Sequence, residues 1–184
     1  MLDTAGNELP ERHIGEIAIQ SNCMLTGYFH RPDLTEKAFL NGWYLTGDLG
    51  YLADGELYIT GRKKDLIIVG GKNIYPQDLE RLAEEVEGVH PGRVVAFGVF
   101  NEQTGTEDII LIAEVHLESF AEASTREEQS QRVAAEIRQR VTHGSDVALR
   151  HVHVVDRNWL IKTSSGKVAR AANREKFLAE FATG

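Results

Sequence analysis

The amino-acid sequence predicts an α+β fold, in which a mixed sheet and helices follow a smaller β-rich segment. Between residues 65 and 184, apolar runs typical of strands are interspersed with stretches of helical periodicity. Residues 1–62 instead carry mainly strand and turn signals. The composition changes at Lys63-Lys64, and 184 residues suffice for one small domain together with part of another. We therefore expect a domain boundary at residues 63–64.

The first segment begins with a weakly alternating strand at residues 14–20 and a short capped helix at residues 33–39. A hairpin follows, because Asp54-Gly55 tolerates the left-handed turn between the apolar residues at 51–52 and 57–59. A segment of about 60 residues buries too little surface to be a typical independent domain. We therefore interpret residues 1–62 as the end of a larger domain.

The second segment contains four strand-like runs and three amphipathic helices. The strands are predicted at residues 66–69, 94–99, 109–115 and 151–155. The helices begin at Pro76, at Thr125 and at about Ser165, each with apolar residues at helical spacing. Thr125 and Glu128 form a capping-box signature. This pattern predicts an α+β domain of a normal size for independent folding.

Charge and cysteine content narrow the class of protein. Lysine and arginine total 20 against 28 acidic residues, and the net charge of −8 argues against general nucleic-acid binding. Cys23 is the sole cysteine, which excludes an internal disulfide and fits a reducing compartment. No apolar run approaches the roughly 20 residues that cross a bilayer. We therefore expect a soluble, cytoplasmic chain with no membrane span.

Three glycine-punctuated segments carry the chemical signal. They lie at residues 42–50 (GWYLTGDLG), 61–76 (GRKKDLIIVGGKNIYP) and 163–170 (TSSGKVAR). A lysine on a short Ser/Gly turn can be presented to a phosphate, with loop amides adding positive charge. The structural alternative for Lys167 is a surface lysine that follows a helix N-cap. Taken together, in this order and spacing, the segments resemble the C-terminal third of an adenylate-forming enzyme, and the resemblance extends over residues 15–177.

Adenylate-forming enzymes include acyl-CoA synthetases, fatty acyl-AMP ligases and luciferases, and they join a carboxylate to ATP to give an acyl adenylate. The resemblance implies that residues 1–62 are a β-rich remnant of the large N-terminal adenylation domain. It further implies that residues 63–64 form a hinge and residues 65–184 the small mobile C-terminal lid domain. ATP and Mg²⁺ are the implied cofactors of the complete enzyme, neither bound tightly by this chain alone.

The resemblance assigns two residues to the nucleotide. Asp48, expected in a turn after an aromatic pair, matches the aspartate that binds the two ribose hydroxyls in the family. Its structural alternative is an Asx turn. Arg62 follows a predicted hairpin strand, where its planar guanidinium can meet ribose or phosphate oxygens. A solvated loop arginine is the alternative at that position.

Other family roles fall on the hinge and on the side that faces the thiol acceptor. Lys64 lies two residues after Arg62, at the family's hinge, which needs a permissive backbone more than a reactive side chain. Gly70 and Gly71 match the turn that lies beside the pantetheine arm in thioester-forming relatives, and a bare hairpin turn is the alternative explanation. Asn73 replaces an arginine common in the family, which puts a phosphate contact there in doubt.

Lys167 is the candidate catalytic residue. Attack of a carboxylate on the α-phosphate brings two anions together, so a lysine that contacts both orients them and stabilises the developing charge. Ser164, Ser165 and Gly166 shape the turn that presents it. The family usually has proline before the first lysine of this run, whereas Ile161 precedes Lys162 here, so we expect a less rigid loop.

The subtype and the partners follow from what the chain contains and lacks. The family's triphosphate loop, its adenine and Mg²⁺ segment and an acyl pocket are not found, so we expect a C-terminal fragment that is inactive alone. Residues 73–80 look closest to fatty acyl-AMP ligases, which pass the acyl group to a carrier protein's phosphopantetheine; an acyl-CoA synthetase is the alternative. The implied partners are the missing N-terminal adenylation domain, a fatty or other carboxylic acid, and an acyl carrier protein or coenzyme A.

Two further hypotheses belong to other classes. The basic stretch at residues 157–176 allows a non-catalytic module that docks a carrier protein without any chemistry at Lys167. The seven histidines invite a metal site, but His151 and His153 share one strand face without further ligands at metal-binding spacing. We therefore predict no metal site within the chain itself.

Overall fold

The computed structural model of the chain describes residues 1–116 and 125–181. The chain divides into two units, Met1–Lys64 and Asp65–Gly184. Within the described residues, no helix is long and apolar enough to cross a membrane.

The first unit is a four-stranded antiparallel sheet built around one long strand. Its elements are β1 (Gly15–Ile19), α1 (Pro32–Ala38), β2 (Phe39–Leu40), β3 (Trp43–Ala53) and β4 (Glu56–Arg62). Strands β1, β2 and β4 all pair with β3. The buried apolar residues of this fully described unit are Ile17, Leu49 and Ala53, a small core for a sheet of this size.

The predicted hairpin of the first unit is confirmed, and it is longer than expected. Asp54 and Gly55 have φ angles of 53° and 81°, and both lie in the left-handed region that a two-residue hairpin turn requires. Pairing continues from the Ala53 and Glu56 end of the hairpin back to Asp48 and Arg62. The register shifts between Leu49 and Gly50, so a bulge separates the tip of the hairpin from its base.

The second unit places helices on both faces of a mixed sheet. Its elements are β5 (Ile67–Val69), β6 (Lys72–Ile74), α2 (Pro76–Glu84), β7 (Val89–Asn101), β8 (Thr106–Val115), α3 (Arg126–Gly144), β9 (His151–Val155) and α4 (Arg170–Phe181). Strand β7 pairs antiparallel with β8, whereas β9 is parallel to β8. Strands β5 and β6 form a separate hairpin. The α+β prediction, with a mixed sheet and helices, is confirmed.

Successive side chains of β7 and β8 point to opposite faces of the sheet, and apolar residues form a core on each side of it. Ala96 and Leu111 face α2 and α3, whose residues Leu79 and Ile137 are almost wholly buried. Their strand neighbours point the other way, where Phe97 packs against Phe177 of α4. Pro76 at the start of α2 and the Thr125 capping box of α3 both occur as predicted.

The prediction for the last helix is wrong at its start. Helix α4 begins at Arg170 rather than near Ser165. The intervening chain forms a tight turn, in which the Thr163 amide donates to the Lys167 carbonyl over 2.8 Å and Gly166 has a φ of 81°. A glycine in the left-handed region favours a turn over a helix start. The buried side chains of α4 are Asn173 and Phe177.

Candidate functional site

Asp48 and Arg62 form a cross-strand pair in the first unit. They are register partners on β3 and β4, and the Arg62 Nε lies 3.1 Å from the Asp48 Oδ1. The side chain of Asp48 is 32% exposed and that of Arg62 is 59% exposed, so both polar ends reach solvent. The pair offers a carboxylate acceptor next to a guanidinium donor, a combination suited to hydroxyl and phosphate oxygens.

The expected turn at Asp48 and loop at Arg62 are wrong, because both residues lie in strands. The local geometry is set instead by Gly47, whose φ of 75° occurs where the pairing of β1 with β3 shifts register. The Thr46 hydroxyl donates to the Ile17 carbonyl and accepts from the Asp48 amide. Asp48 thus has Arg62 as its side-chain partner rather than an Asx turn.

Glu16 is a residue of this site that the sequence analysis missed. Its Oε1 accepts from the Gly47 amide over 3.2 Å, and its Oε2 accepts from the Lys63 Nζ over 2.7 Å. The carboxylate therefore links the backbone beside Asp48 to the residue that follows Arg62. The only local signal was a charged residue in a weak strand, because both partners are more than 30 residues away in sequence.

Lys64 lies in a one-turn 3₁₀ helix, Lys63–Asp65, directly after β4. It is exposed, and together with Thr46, Gly47, Arg62 and Lys63 it lines an open recess of about 350 Å³ in the first unit. Three of these five residues are cations. The recess therefore suits an anionic or polyhydroxyl ligand. The backbone amide of Gly47, which lines the recess, donates a hydrogen bond to Glu16.

Gly70 and Gly71 form the tip of the β5–β6 hairpin in the second unit. Their φ angles are 57° and 80°, and no atom lies within 4 Å of where either Cβ would be. Thr106 ties the hairpin to β8, since its hydroxyl accepts from the Gly70 amide and donates to the Ile68 carbonyl. The predicted turn is confirmed, and its backbone is open to close approach.

Lys167 is exposed at the end of the tight turn that precedes α4. The Thr163 hydroxyl accepts from the Lys167 amide, and Lys162 and Val168 form a bridge behind the turn. No hydrogen bond or ion pair engages its ammonium among the described residues. The surface lysine after a helix N-cap is therefore not what the structure contains: Lys167 is carried by a hairpin-like loop before the helix.

The basic stretch at residues 157–176 is not a continuous charged face. Arg170 donates to Asp65 and to Glu80 over 2.7 Å each, and to the Ala96 carbonyl over 2.9 Å. Arg174 donates to the Gly98 carbonyl, and Lys176 donates to the Trp159 carbonyl and lies over its ring. Half of the six cations therefore hold the unit together. Arg157 and Lys167, by contrast, are exposed.

His153 on β9 packs against the aromatic side chains of α4, whereas His151 is exposed. The His153 ring lies edge-on to Phe177 and tilted against Phe181, and this burial, reinforced by the charges of His151 and Arg138, lowers the pKa of His153 below its ordinary value of 6.5. Across residues 1–116 and 125–181 there is no cluster of three or more His, Cys, Asp or Glu side chains that would hold a metal ion.

Comparisons with known proteins found relatives along nearly the whole chain, although no family model matches it. A putative acyl-CoA synthetase of Caulobacter vibrioides is 36% identical over 95% of this chain and 29% of the relative. A medium-chain-fatty-acid ligase for acyl carrier protein, JamA of Moorena producens, is 39% identical over 90% of this chain and 28% of the relative.

Solved structures agree with the sequence relatives. The McyG A-PCP structure complexed with phenylalanyl-adenylate is 38% identical, with a TM-score of 0.81 over 98% of this chain and 27% of that one. A fatty acyl-adenylate ligase structure from studies of the E. coli and L. pneumophila enzymes is 34% identical, with a TM-score of 0.78 over 98% of this chain and 30% of that one. The chain spans about three tenths of these relatives. Over nearly its whole length, the chain is similar to part of acyl-CoA synthetases and fatty acyl-adenylate ligases.

Proposed function

We propose that the chain is the C-terminal part of an ATP-dependent ligase that activates a carboxylic acid as acyl-AMP and passes the acyl group to a phosphopantetheine thiol. In the first half-reaction a carboxylate oxygen attacks the α-phosphorus of ATP and pyrophosphate leaves. In the second, the thiol attacks the acyl carbonyl and AMP leaves. The carboxylic acid is fatty or of a related kind, as the names of the relatives suggest.

The observation that carries this proposal is the presentation of Lys167. It is a free, exposed ammonium on a turn fixed by its own backbone bonds. Such a cation can approach the carboxylate and the α-phosphate together without first breaking an internal ion pair. Preorganised positive charge of this kind stabilises the charge that develops at phosphorus.

The recess beside Asp48 and Arg62 fits the nucleotide side of the reaction. The Asp48 carboxylate would accept hydrogen bonds from the ribose hydroxyls, and Arg62 would donate to ribose or phosphate oxygens. ATP brings the phosphoryl group, and Mg²⁺ accompanies its phosphates. We assign the carboxylate ligand of that ion to the N-terminal adenylation domain outside this chain.

The two units suggest how one protein serves both half-reactions. We assign residues 1–62 to the end of the N-terminal adenylation domain, residues 63–64 to the hinge, and residues 65–184 to the mobile lid. The φ and ψ angles of Lys64 would change as the lid turns. This rotation would remove Lys167 from the reaction centre and bring Gly70 and Gly71 there instead. The open glycine turn then suits the close passage of a pantetheine arm. Alone, the chain would be inactive.

The preferred acceptor is the phosphopantetheine of an acyl carrier protein, as in fatty acyl-AMP ligases, with coenzyme A as the alternative. Names of relatives of this chain include both kinds of ligase. The complete enzyme, given ATP and a fatty acid, should acylate holo-carrier protein faster than it forms acyl-CoA. Faster formation of acyl-CoA would assign the enzyme to the synthetases instead.

The test of the adenylation role is Lys167→Ala in the complete enzyme. We expect pyrophosphate release to fall by ~10²-fold or more, the usual effect of removing one preorganised donor. Lys162→Ala, on the same loop, is the matched control and should stay close to wild type. Wild-type pyrophosphate release by Lys167→Ala would contradict the assignment.

A further inference from the structure

Asn173 is a polar side chain in an apolar position. It is 0% exposed, on the face of α4 that also carries Phe177. Among the described residues, the only other polar or charged side chain buried to this degree is Glu114. Burying an amide costs free energy unless all its hydrogen-bonding groups find partners. The position therefore requires an explanation beyond helix packing.

The side-chain amide of Asn173 forms hydrogen bonds with both ends of the loop that carries Lys167. Its Nδ2 donates to the Ile161 carbonyl and to the Ala169 carbonyl over 2.9 Å each. Its Oδ1 accepts from the Ile161 amide over 2.8 Å. Ile161 and Ala169 are also bonded to each other, because the Ala169 amide donates to the Ile161 carbonyl over 3.0 Å. One buried side chain thus closes the neck of the loop, which we define as the point where Ile161 and Ala169 meet.

A second buried group holds the chain just before the neck. The Glu114 Oε1 accepts from the Leu160 amide over 2.7 Å, and its other oxygen lies 3.3 Å from the Arg93 Nη1. Glu114 belongs to β8, in the centre of the sheet, and Asn173 belongs to α4. The neck is therefore attached both to the sheet and to α4, the two layers that enclose the core around Phe97 and Phe177.

The bonds inside the loop do not fix its direction by themselves. They join Thr163 to Lys167 and Lys162 to Val168, which shapes the hairpin but leaves it able to pivot about its base. Short two-stranded hairpins are marginally stable in water without outside support. The outside support here is the neck, where Asn173 contributes three hydrogen bonds.

We infer that Asn173 is a positioning residue that directs Lys167 by clamping the neck of its loop. The inference rests on the proposed role of Lys167 in adenylation. Asn173 does not touch the reacting atoms, and it acts through the lysine alone. Reaction geometry tolerates little error, and a misplacement of about 1 Å can cost up to ~10²-fold in rate.

The kinetic test uses Asn173→Ala in the complete enzyme. Adenylation, followed by pyrophosphate release at saturating ATP, should slow by ~10-fold or more. Transfer from supplied acyl-AMP to the thiol should stay within about threefold, since Lys167 is not needed there. In a Lys167→Ala background, adding Asn173→Ala should have no further effect on adenylation. Glu175→Ala, at an exposed site on the same helix, is the control and should match wild type.

A purely structural role would give a different pattern. It would slow both half-reactions by the same factor, and it would slow the Lys167→Ala enzyme as much as the wild type. Either result would overturn the inference. Asn173→Asp provides a second variant of equal size, which keeps the acceptor for the Ile161 amide but turns a carboxylate toward two carbonyl oxygens. It should reproduce the effect of Asn173→Ala.

Hydrogen exchange tests the clamp without any reaction. In Asn173→Ala, the amides of Thr163 and Ala169 should exchange at least ~10-fold faster, although neither bonds directly to Asn173. Wild-type exchange at both amides would overturn the clamp. If Lys167→Ala left adenylation intact, the proposed function would fail while this measurement still decided whether Asn173 holds the loop.

Discussion

At the residue scale, we expect Asp48 and Lys167 to affect different kinetic parameters of the complete enzyme. It is partly exposed beside Arg62, and its carboxylate has acceptor capacity beyond the single bond to the Arg62 Nε. A hydrogen bond from a hydroxyl group to a carboxylate oxygen is stronger than one to an uncharged oxygen. Asp48 should therefore contribute to ATP affinity, whereas Lys167 should contribute to the rate of the bound complex.

We predict that Asp48→Asn raises the KM for ATP by ~10-fold, because a hydrogen bond to a charged group is worth about 1.5–3 kcal/mol. The rate at saturating ATP should change much less. Asp54→Asn, at the tip of the same hairpin, is the control, since asparagine also tolerates its positive φ. Steady-state kinetics in the complete enzyme decide the matter. A fall in kcat with unchanged KM for ATP would refute a binding role.

At the element scale, Arg170 joins the start of α4 to three other parts of the second unit. Its guanidinium satisfies Asp65, Glu80 and the Ala96 carbonyl, and Glu80 also accepts from the Ala96 amide. The three charged side chains are each between 16% and 22% exposed. Removal of the arginine would deprive the Asp65 and Glu80 carboxylates of their cationic partner and leave Glu80 with only the Ala96 amide of the donors named here.

We predict that Arg170→Ala lowers the free energy of unfolding of the second unit by about 2–4 kcal/mol, as expected for a charged group that loses its buried partner. Arg81→Ala should cost less than about 0.5 kcal/mol, because its ion pair with Glu85 is 3.6 Å long and exposed. Urea unfolding followed by Trp159 fluorescence, with Trp43 replaced by phenylalanine, isolates this unit. Equal effects of the two variants would argue against the network.

His153 gives the same unit a defined response to acid. Because its pKa is lowered in the folded state, the unfolded chain binds the proton more tightly, and stability falls as the pH drops below the ordinary value of 6.5. We predict that His153→Phe, which keeps the ring contacts with Phe177 and Phe181, reduces the loss of stability between pH 7.5 and pH 5.5. Urea midpoints at the two pH values measure it. An unchanged difference would show that other groups dominate.

Elements set by local chemistry were predictable, and those set by distant partners were not. The Asp54-Gly55 hairpin and the Thr125 capping box follow from neighbouring residues, and both are present. The start of α4 was misplaced because helical periodicity continues through Val168, while Gly166 and the bond from Thr163 fix a turn. Glu16 and Asn173 were missed because hydrogen bonds to remote backbone leave no pattern in the sequence.

At the scale of the whole molecule, the hinge proposal makes the two half-reactions depend on one short segment. Lys64 lies in a single 3₁₀ turn between two units, and Glu16 binds its neighbour Lys63. That ion pair keeps Lys63 with the first unit, so backbone rotation is expected at Lys64 itself. A 3₁₀ turn suits this use because its hydrogen bonds are weaker than those of an α-helix.

We predict that Lys64→Pro impairs one half-reaction at least ~10-fold more than the other, because proline fixes φ near −65° and leaves one lid orientation accessible. Lys64→Ala, which keeps the backbone free, should support both half-reactions close to wild type. Pyrophosphate release measures the first step, and thioester formation from supplied acyl-AMP measures the second. Equal losses in both steps would move the hinge elsewhere, whereas a selective loss would show that residues 65–184 must turn about Lys64 to complete the cycle.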